Sequence, residues 1–181
     1  THRSRNLQPS HTRQRKNLPE HNGNLLGYLT GYSIYNQLGL TTQVSNTIQI
    51  GKNEIRPSFK RERYTISFVK QRNTITKENI PLFQILDAMR YIKKIPDATL
   101  EASCKRFLAI LTTLSKKDKS TLVRLALKYT PATRALLGAM LEKLNQETIA
   151  EPLFNSLNPI TKYKMTGVAK VLSTCEKWNI I

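Results

Sequence analysis

The chain has 181 residues, of which 39% are hydrophobic, and its formal net charge is +17 with an isoelectric point near 10.1. This length and apolar content fit one domain or two small ones with an ordinary core. No apolar run approaches the ~20 residues that a transmembrane helix needs, and no segment has the pattern of a signal peptide, so we expect no membrane contact.

The positive charge is spread along the chain, with +4 in residues 1–23, +5 in residues 24–80 and +8 in residues 81–181. A positive field over the whole surface attracts a polyanion from every direction, so this distribution favours nucleic acid or an acidic protein as the partner. Solubility is the alternative explanation, although a net charge of about 2 to 8 serves that purpose in a small domain.

Residues 1–23 contain all three histidines and five basic residues but few apolar ones. This composition predicts an extended basic arm or linker, which either contacts phosphate or only connects to another unit. Because the sequence lacks an initiator methionine, we expect the chain to begin within a longer protein or after processing.

Residues 24–80 are predicted to form a helix plus β-hairpin subdomain. Apolar residues at helical spacing predict a short helix with Thr30 as its N-cap and Gly39 as its stop. These residues are Leu29, Ile34, Tyr35 and Leu38. Apolar and polar residues then alternate over 44–50 and over 64–68, which predicts two strands. Between them we expect a broad basic hairpin loop or a further short strand, since Pro57 interrupts the pattern.

Residues 81–181 are predicted to form a helical subdomain with an ordered tail. Four amphipathic patterns, starting near Pro81, Asp97, Ser115 and Thr130, predict a bundle with short links. A short fifth helix is expected over 152–157, and Trp178 and Ile180 are expected to hold the tail. The fold class is therefore α+β, with a small antiparallel sheet, the basic hairpin, packed on a carboxy-terminal bundle of about four to five helices. Residues 24–181 are expected to make one domain.

The sequence offers few groups for catalysis. The three histidines, His2, His11 and His21, lie in the predicted arm, which leaves serine and cysteine side chains without a rigidly held base. The carboxylates are isolated, and no Gly-rich phosphate loop is present. Cys104 falls on an apolar helix stripe and Cys175 lies far from it, which excludes zinc ligation and a disulfide framework and indicates a reducing, cytoplasmic setting. We expect no enzyme activity, cofactor or metal.

Binding is better supported, because six cations cluster within residues 56–72. The nucleic-acid-binding residues predicted from this cluster are Arg56, Lys60, Arg61, Arg63, Lys70 and Arg72. A two-stranded ribbon with a basic loop can follow a phosphate backbone, and the four arginines suit bidentate phosphate contacts. The alternative is that these charges only protect an edge strand from aggregation.

Five segments of the sequence occur together in a known family. They are "LTGYSIYNQLGLTTQVSNTIQI", "YTISFVKQRNT", "PLFQILDAMRYIKKIPDA", "LSKKDKSTLVRLALKYTPATRALLGAMLE" and "LNPITKYKMTGVAKVLSTCEKWNII". In this order they resemble the AbiEi-like family of bacterial transcriptional regulators and antitoxins of type IV toxin-antitoxin or abortive-infection systems. The resemblance covers residues 24–181. Its most specific part combines Thr30-Gly31, Leu38-Gly39-Leu40 and Thr42-Gln43-Val44, with the "NPITKYK" to "KWNII" ending as support.

The resemblance implies a carboxy-terminal antitoxin domain that aids repression on operator DNA and neutralises a nucleotidyltransferase-like toxin. In that family a winged helix-turn-helix usually precedes this region, and residues 1–23 are too few and too polar to form one. The leading expectation is a DNA-binding regulator and antitoxin domain. The alternatives are a protein-interaction module that sequesters the toxin without touching DNA and an RNA-binding protein.

Overall fold

The computed structural model describes residues 20–21 and 24–181. The predicted arm, residues 1–23, lies outside the described residues except for two positions that belong to a short antiparallel pair of strands. That pair consists of β1 (Glu20–His21) and β2 (Asn24–Leu25). The main sheet has four strands in the order β3-β4-β6-β5. They are β3 (Tyr28–Thr30), β4 (Thr47–Lys52), β5 (Phe59–Arg61) and β6 (Tyr64–Lys70).

Five helices follow the sheet in the described part of the chain, which confirms the α+β class and the predicted number of helices. They are α1 (Ile80–Arg90), α2 (Leu100–Thr113), α3 (Lys116–Ala126), α4 (Pro131–Lys143) and α5 (Glu147–Asn155). Short 3-10 turns cover Gly31–Ser33, Ile92–Lys94 and Val168–Lys170. One hydrophobic cluster runs from Tyr28 in the sheet through the helices to Ile180.

Local capping chemistry accounts for most helix starts. Ser115 Oγ accepts a hydrogen bond from the Asp118 amide at 3.0 Å, and Thr130 caps α4 in the same way, as predicted. The second helical pattern was predicted to start near Asp97, but Asp97 is not the N-cap of α2. Thr99 takes that position, because its Oγ1 accepts from the Ala102 amide at 3.1 Å, while Asp97 lies in a turn at φ +49°.

The helix predicted after Leu29 is wrong. Tyr28–Thr30 form strand β3, and the following residues make a 3-10 turn and further turns that end at Gly39, where φ is +71°. Tertiary contacts override the helical spacing because the Tyr28 and Thr30 side chains are fully buried and both bond to the Asp87 carboxylate.

The sheet is mixed, whereas a purely antiparallel sheet was predicted. The two predicted strands correspond to β4 and β6, and they pair in parallel, with Ile48 opposite Ile66. A third strand, β5, makes this possible, because the chain leaves β4, forms β5 at the edge and returns through a tight turn into β6. The true hairpin is therefore β5–β6, and the turn contains Glu62 at φ +54°. Alternation in the sequence identifies a strand but not its partner.

The carboxy-terminal tail packs against α4, as predicted from its apolar residues. Trp178 and Ile180 are buried, and Ile180 forms a bridge with Tyr163. The Trp178 indole donates to Glu142 Oε2 at 2.9 Å, and its ring lies over Gly138 of α4. Since a Cβ atom at Gly138 would come within 2.1 Å of the Trp178 ring, the close approach requires glycine.

Replacing Gly138 with alanine should lower the free energy of unfolding by about 1–3 kcal/mol, because the tail must move or the core must accept strain. The gain in helix propensity, roughly 1 kcal/mol, offsets only part of this cost. Urea unfolding of G138A, W178L and the double variant would measure it. The double variant should lose less than the two single losses combined, because leucine leaves room for the new methyl group. Additive losses would contradict this account of the contact.

Candidate nucleic-acid interface

The two faces of the main sheet differ in what covers them. One face packs on the helices and contains buried residues such as Tyr28, Thr30 and Val69. The strand registers place six apolar side chains on the opposite, open face: Leu29, Ile48, Ile50, Phe59, Ile66 and Phe68. Phe59 is 50% exposed and Leu29 is 42% exposed, so described residues leave this face largely uncovered.

Four of the six predicted site residues lie around the β5–β6 hairpin, and we call them the hairpin surface. They are Arg56, Lys60, Arg61 and Arg63, and all are exposed. Among the described side chains, no carboxylate lies within 4.0 Å of any of them. The Arg63 guanidinium packs 5.1 Å from the Tyr64 ring centre and donates to its hydroxyl at 2.9 Å. The hairpin therefore presents cations that no described acid neutralises.

The other two predicted residues, Lys70 and Arg72, lie at the far end of β6 and not on the hairpin surface. There they line a cavity of about 360 Å³ beside the start of α4, which we call the α4 cavity. Three further cations line it too, namely Arg90 of α1, Lys128 in the turn after α3, and Arg134 of α4. Sequence reasoning missed these three, because each stands alone in its own segment and only the fold brings them together.

Tertiary contacts fix the positions of Arg90, Lys128 and Arg134. Arg90 ends α1 and donates to the Lys70 carbonyl at 3.5 Å, and Lys128 follows α3 and donates to the Arg72 carbonyl at 3.5 Å. Arg134 in α4 donates through Nη1 to the Ser156 carbonyl at 2.9 Å. Its buried Nε has no hydrogen-bond partner.

A second cavity of about 350 Å³ adjoins the first, since both include Arg90 and residues of the first turn of α4. We call it the adjoining cavity. Besides Arg90, its cations are Lys93, Lys94, Lys162 and Lys164. Apolar side chains, among them Met89, Ile92 and Met165, form the rest of its wall. Among the described residues, no carboxylate lines either cavity.

A buried polar network forms the floor of the α4 cavity. The Gln71 amide donates to the hydroxyl of Tyr28 at 2.9 Å and to that of Tyr129 at 2.8 Å. These hydroxyls donate to opposite oxygens of Asp87 at 2.7 and 2.8 Å, and Thr30 adds a third bond at 2.7 Å. Every polar side-chain atom of this hydrogen-bond network has a partner, so the floor of the cavity is rigid.

Burial raises the pKa of Asp87, while the three hydroxyl donors oppose that rise. Burial and the nearby carboxylate together raise the pKa of Tyr28 and of Tyr129. Burial also raises the pKa of the Cys104 thiol to about 12, so this residue is a core thiol without thiolate character at neutral pH. These shifts follow from burial and from hydrogen bonds within the fold.

Neither a metal-binding cluster nor a membrane span occurs in the described residues. No three histidine, cysteine, aspartate or glutamate side chains within 20–21 and 24–181 are grouped to hold a metal ion. Within the same residues, every helix is too short or too polar to cross a bilayer.

Comparison with known proteins adds no relative. No family model, no curated protein and no solved structure matches this chain.

The Asp87 network gives a stability prediction. Tyr129→Phe would leave one Gln71 N–H and one Asp87 oxygen buried without partners, at about 1–3 kcal/mol for each group. We expect the free energy of unfolding, measured with urea at neutral pH, to fall accordingly. Tyr64→Phe is the matched control, because it removes only a hydroxyl bonded to the exposed Arg63. Equal losses in the two variants would show that the network adds little.

Proposed function

We propose that this protein binds duplex DNA and catalyses no reaction. The observation that supports this most directly is the hairpin surface, where four exposed cations lie on or beside an edge strand without an acidic partner among the described residues. Three of them are arginines, whose planar guanidinium groups match two phosphate oxygens at once. Contacts of this kind supply affinity and position but carry no sequence information.

The edge position of β5 suits this role. It pairs with β6 on one side only, so its other side is open to a partner along its length. Arg61 lies opposite Tyr64 on the open face, and the alternation of the strand places Lys60 on the other face. Cations on both faces of an edge can contact phosphates on either side of a groove.

The biological role in the proposal comes from the AbiEi-like resemblance. In this role the protein is a bacterial regulator that represses transcription from operator DNA and acts as the antitoxin of a type IV toxin-antitoxin or abortive-infection system. A cytoplasmic location belongs to the same proposal, and the two free cysteines fit a reducing compartment. The cognate toxin would meet a different part of the surface, with its encounter rate raised by the net positive charge if the toxin is acidic.

The triple variant R56A/R61A/R63A should weaken duplex binding to a similar degree for all DNA sequences, because only phosphate contacts are removed. The dependence of log K on log salt concentration should flatten by up to about 0.9 for each lost contact. A gel-shift series over ionic strength measures both effects.

The matched control is K116A/K117A/K143A, which removes the same charge from exposed helix positions outside the hairpin surface and both cavities. Its affinity and salt slope should stay close to those of the unchanged protein. If both triple variants lose affinity equally, net charge and not the hairpin surface controls binding.

A second candidate function is binding of single-stranded RNA, and the open sheet face favours it. Phe59 is half exposed and its ring centre lies 6.3 Å from that of Phe68, on a face that also includes the cations Lys52 and Arg61. Exposed aromatic rings beside cations form stacking surfaces for unpaired bases.

Phe59→Ala separates the two candidates. Loss of one stacking ring should weaken single-stranded RNA binding by about 1–3 kcal/mol and leave duplex DNA binding nearly unchanged. Fluorescence anisotropy with a short unstructured RNA and with a duplex would measure this, and Phe59→Tyr, which keeps an aromatic ring, is the control. Equal RNA affinity for F59A and F59Y would remove this candidate.

A further inference from the structure

We propose that the α4 cavity is a binding site for a phosphate group. The cavity is separate from the hairpin surface, and this proposal does not depend on the hairpin contacting DNA. Its ligand is defined by chemistry, namely a phosphate carried by a polynucleotide or by a small phosphorylated molecule.

The described charges around the cavity are of one sign. Five basic residues from β6 and the segment after it, α1, the turn after α3, and α4 line the cavity, and no acidic side chain among the described residues does. Like charges brought together by folding repel each other, so their convergence costs free energy unless an anion neutralises them. Only two ion pairs occur between described side chains, Glu101–Lys105 and Glu142–Lys177, and neither involves a cavity residue.

Most of these cations keep donors free for a ligand. Lys70 is the exception, because its ammonium donates to the Asn53 carbonyl. In the described part of the chain the Arg72 guanidinium makes no hydrogen bond, and Arg90 and Lys128 make only long ones of 3.5 Å to carbonyls. Among the described residues Arg134 donates only through Nη1, to the Ser156 carbonyl, so its Nη2 keeps its donors.

The first turn of α4 adds an electrostatic field that favours an anion in the same cavity. Thr130 and Pro131 line it, and they begin a helix of 13 residues whose positive dipole end points to this region. Thr130 caps the Thr133 amide. A dianionic phosphate at this place is stabilised by the helix end in addition to the side chains.

The rigid floor makes the site preorganised. Gln71 and Tyr129 line the cavity and are held by the Asp87 network, so a ligand does not have to order them. The volume of about 360 Å³ exceeds that of a phosphate group and leaves room for the group that carries it.

Isothermal titration of the full chain with pyrophosphate at low ionic strength tests the site. The unchanged protein should bind pyrophosphate, and R72Q/K128Q should bind it at least about tenfold more weakly, because each charge-assisted hydrogen bond to a charged group contributes strongly. Both residues are exposed and neither side chain forms a short hydrogen bond, so the double variant should fold. The control K116Q/K117Q removes the same charge elsewhere.

Binding that is equal in R72Q/K128Q and K116Q/K117Q would overturn the proposal, and so would an absence of binding to the unchanged protein. The variant R56A/R61A/R63A keeps the cavity and should bind pyrophosphate normally. The experiments therefore test the proposed phosphate site and the proposed DNA contact of the hairpin surface independently.

Two further titrations identify the source of the phosphate. If R72Q/K128Q weakens binding of an adenosine monophosphate probe as strongly as pyrophosphate, the site accepts a small phosphorylated molecule. If it leaves that probe unchanged but lowers the salt slope for a 12-nucleotide oligomer, the site takes a polynucleotide phosphate. Either result supports the proposal, and no effect on either probe would contradict it.

Discussion

The buried carboxylate of Asp87 is the constraint on which the arrangement of the molecule depends. It lies on α1, accepts hydrogen bonds from Tyr28 and Thr30 of β3, and accepts another from Tyr129 after α3. A carboxyl group buried this deeply needs hydrogen-bond partners for both of its oxygens, and the three hydroxyl donors provide them only when the sheet and the helices hold one relative position. Gln71 extends the network to the end of β6. The same bonds that dock the sheet therefore fix the wall from which the cationic cavity is built.

The Asp87 network uses no cation as a hydrogen-bond partner, and the surplus of positive charge comes from the composition of the chain. The chain has 29 basic and 12 acidic residues, and its most deeply buried carboxylate is bonded to hydroxyls instead of to a cation. Between described side chains there are two ion pairs, Glu101–Lys105 and Glu142–Lys177, and most of the described cations are exposed. A molecule with this surplus repels itself, and binding a polyanion relieves that repulsion and stabilises the fold by mass action.

The sequence predicted those features that local chemistry determines. The periodic apolar residues gave α1 to α4, the Ser115 and Thr130 caps placed two helix starts, and Trp178 and Ile180 identified the ordered tail. The sequence did not predict the features that depend on contacts between residues far apart in the chain. Thr30 resembled an N-cap but became a strand residue, because its hydroxyl bonds to Asp87, 57 positions away. The parallel pairing of β4 and β6 left no local sign, because a strand pattern does not name its partner.

The residues of the candidate site also fall into a group that the sequence predicted and a group that it did not. Arg56, Lys60, Arg61 and Arg63 were found because they are neighbours in sequence and stay neighbours around one hairpin. In contrast, the cavity cations Arg90, Lys128 and Arg134 come from three separate segments. In the sequence these three cations share one property: each lies at or near the beginning or end of a helix, where the packing of the bundle brings chain segments together. Many other basic residues of this chain also lie near helix ends, so this property does not identify the three.

The geometry of β6 relates the two cationic regions. The hairpin surface lies at its beginning and the α4 cavity at its end, and its seven residues span roughly 20 Å at about 3.3 Å each. One strand of duplex DNA has a phosphate about every 3.4 Å along the helix axis, so about six phosphates of one strand fit within that distance. Because β6 is a central strand paired on both sides and Gln71 anchors its end, the separation is fixed before any ligand arrives. A rigid spacing between two cationic regions matches a stiff polyanion better than a flexible one, since a flexible chain loses conformational entropy to match it.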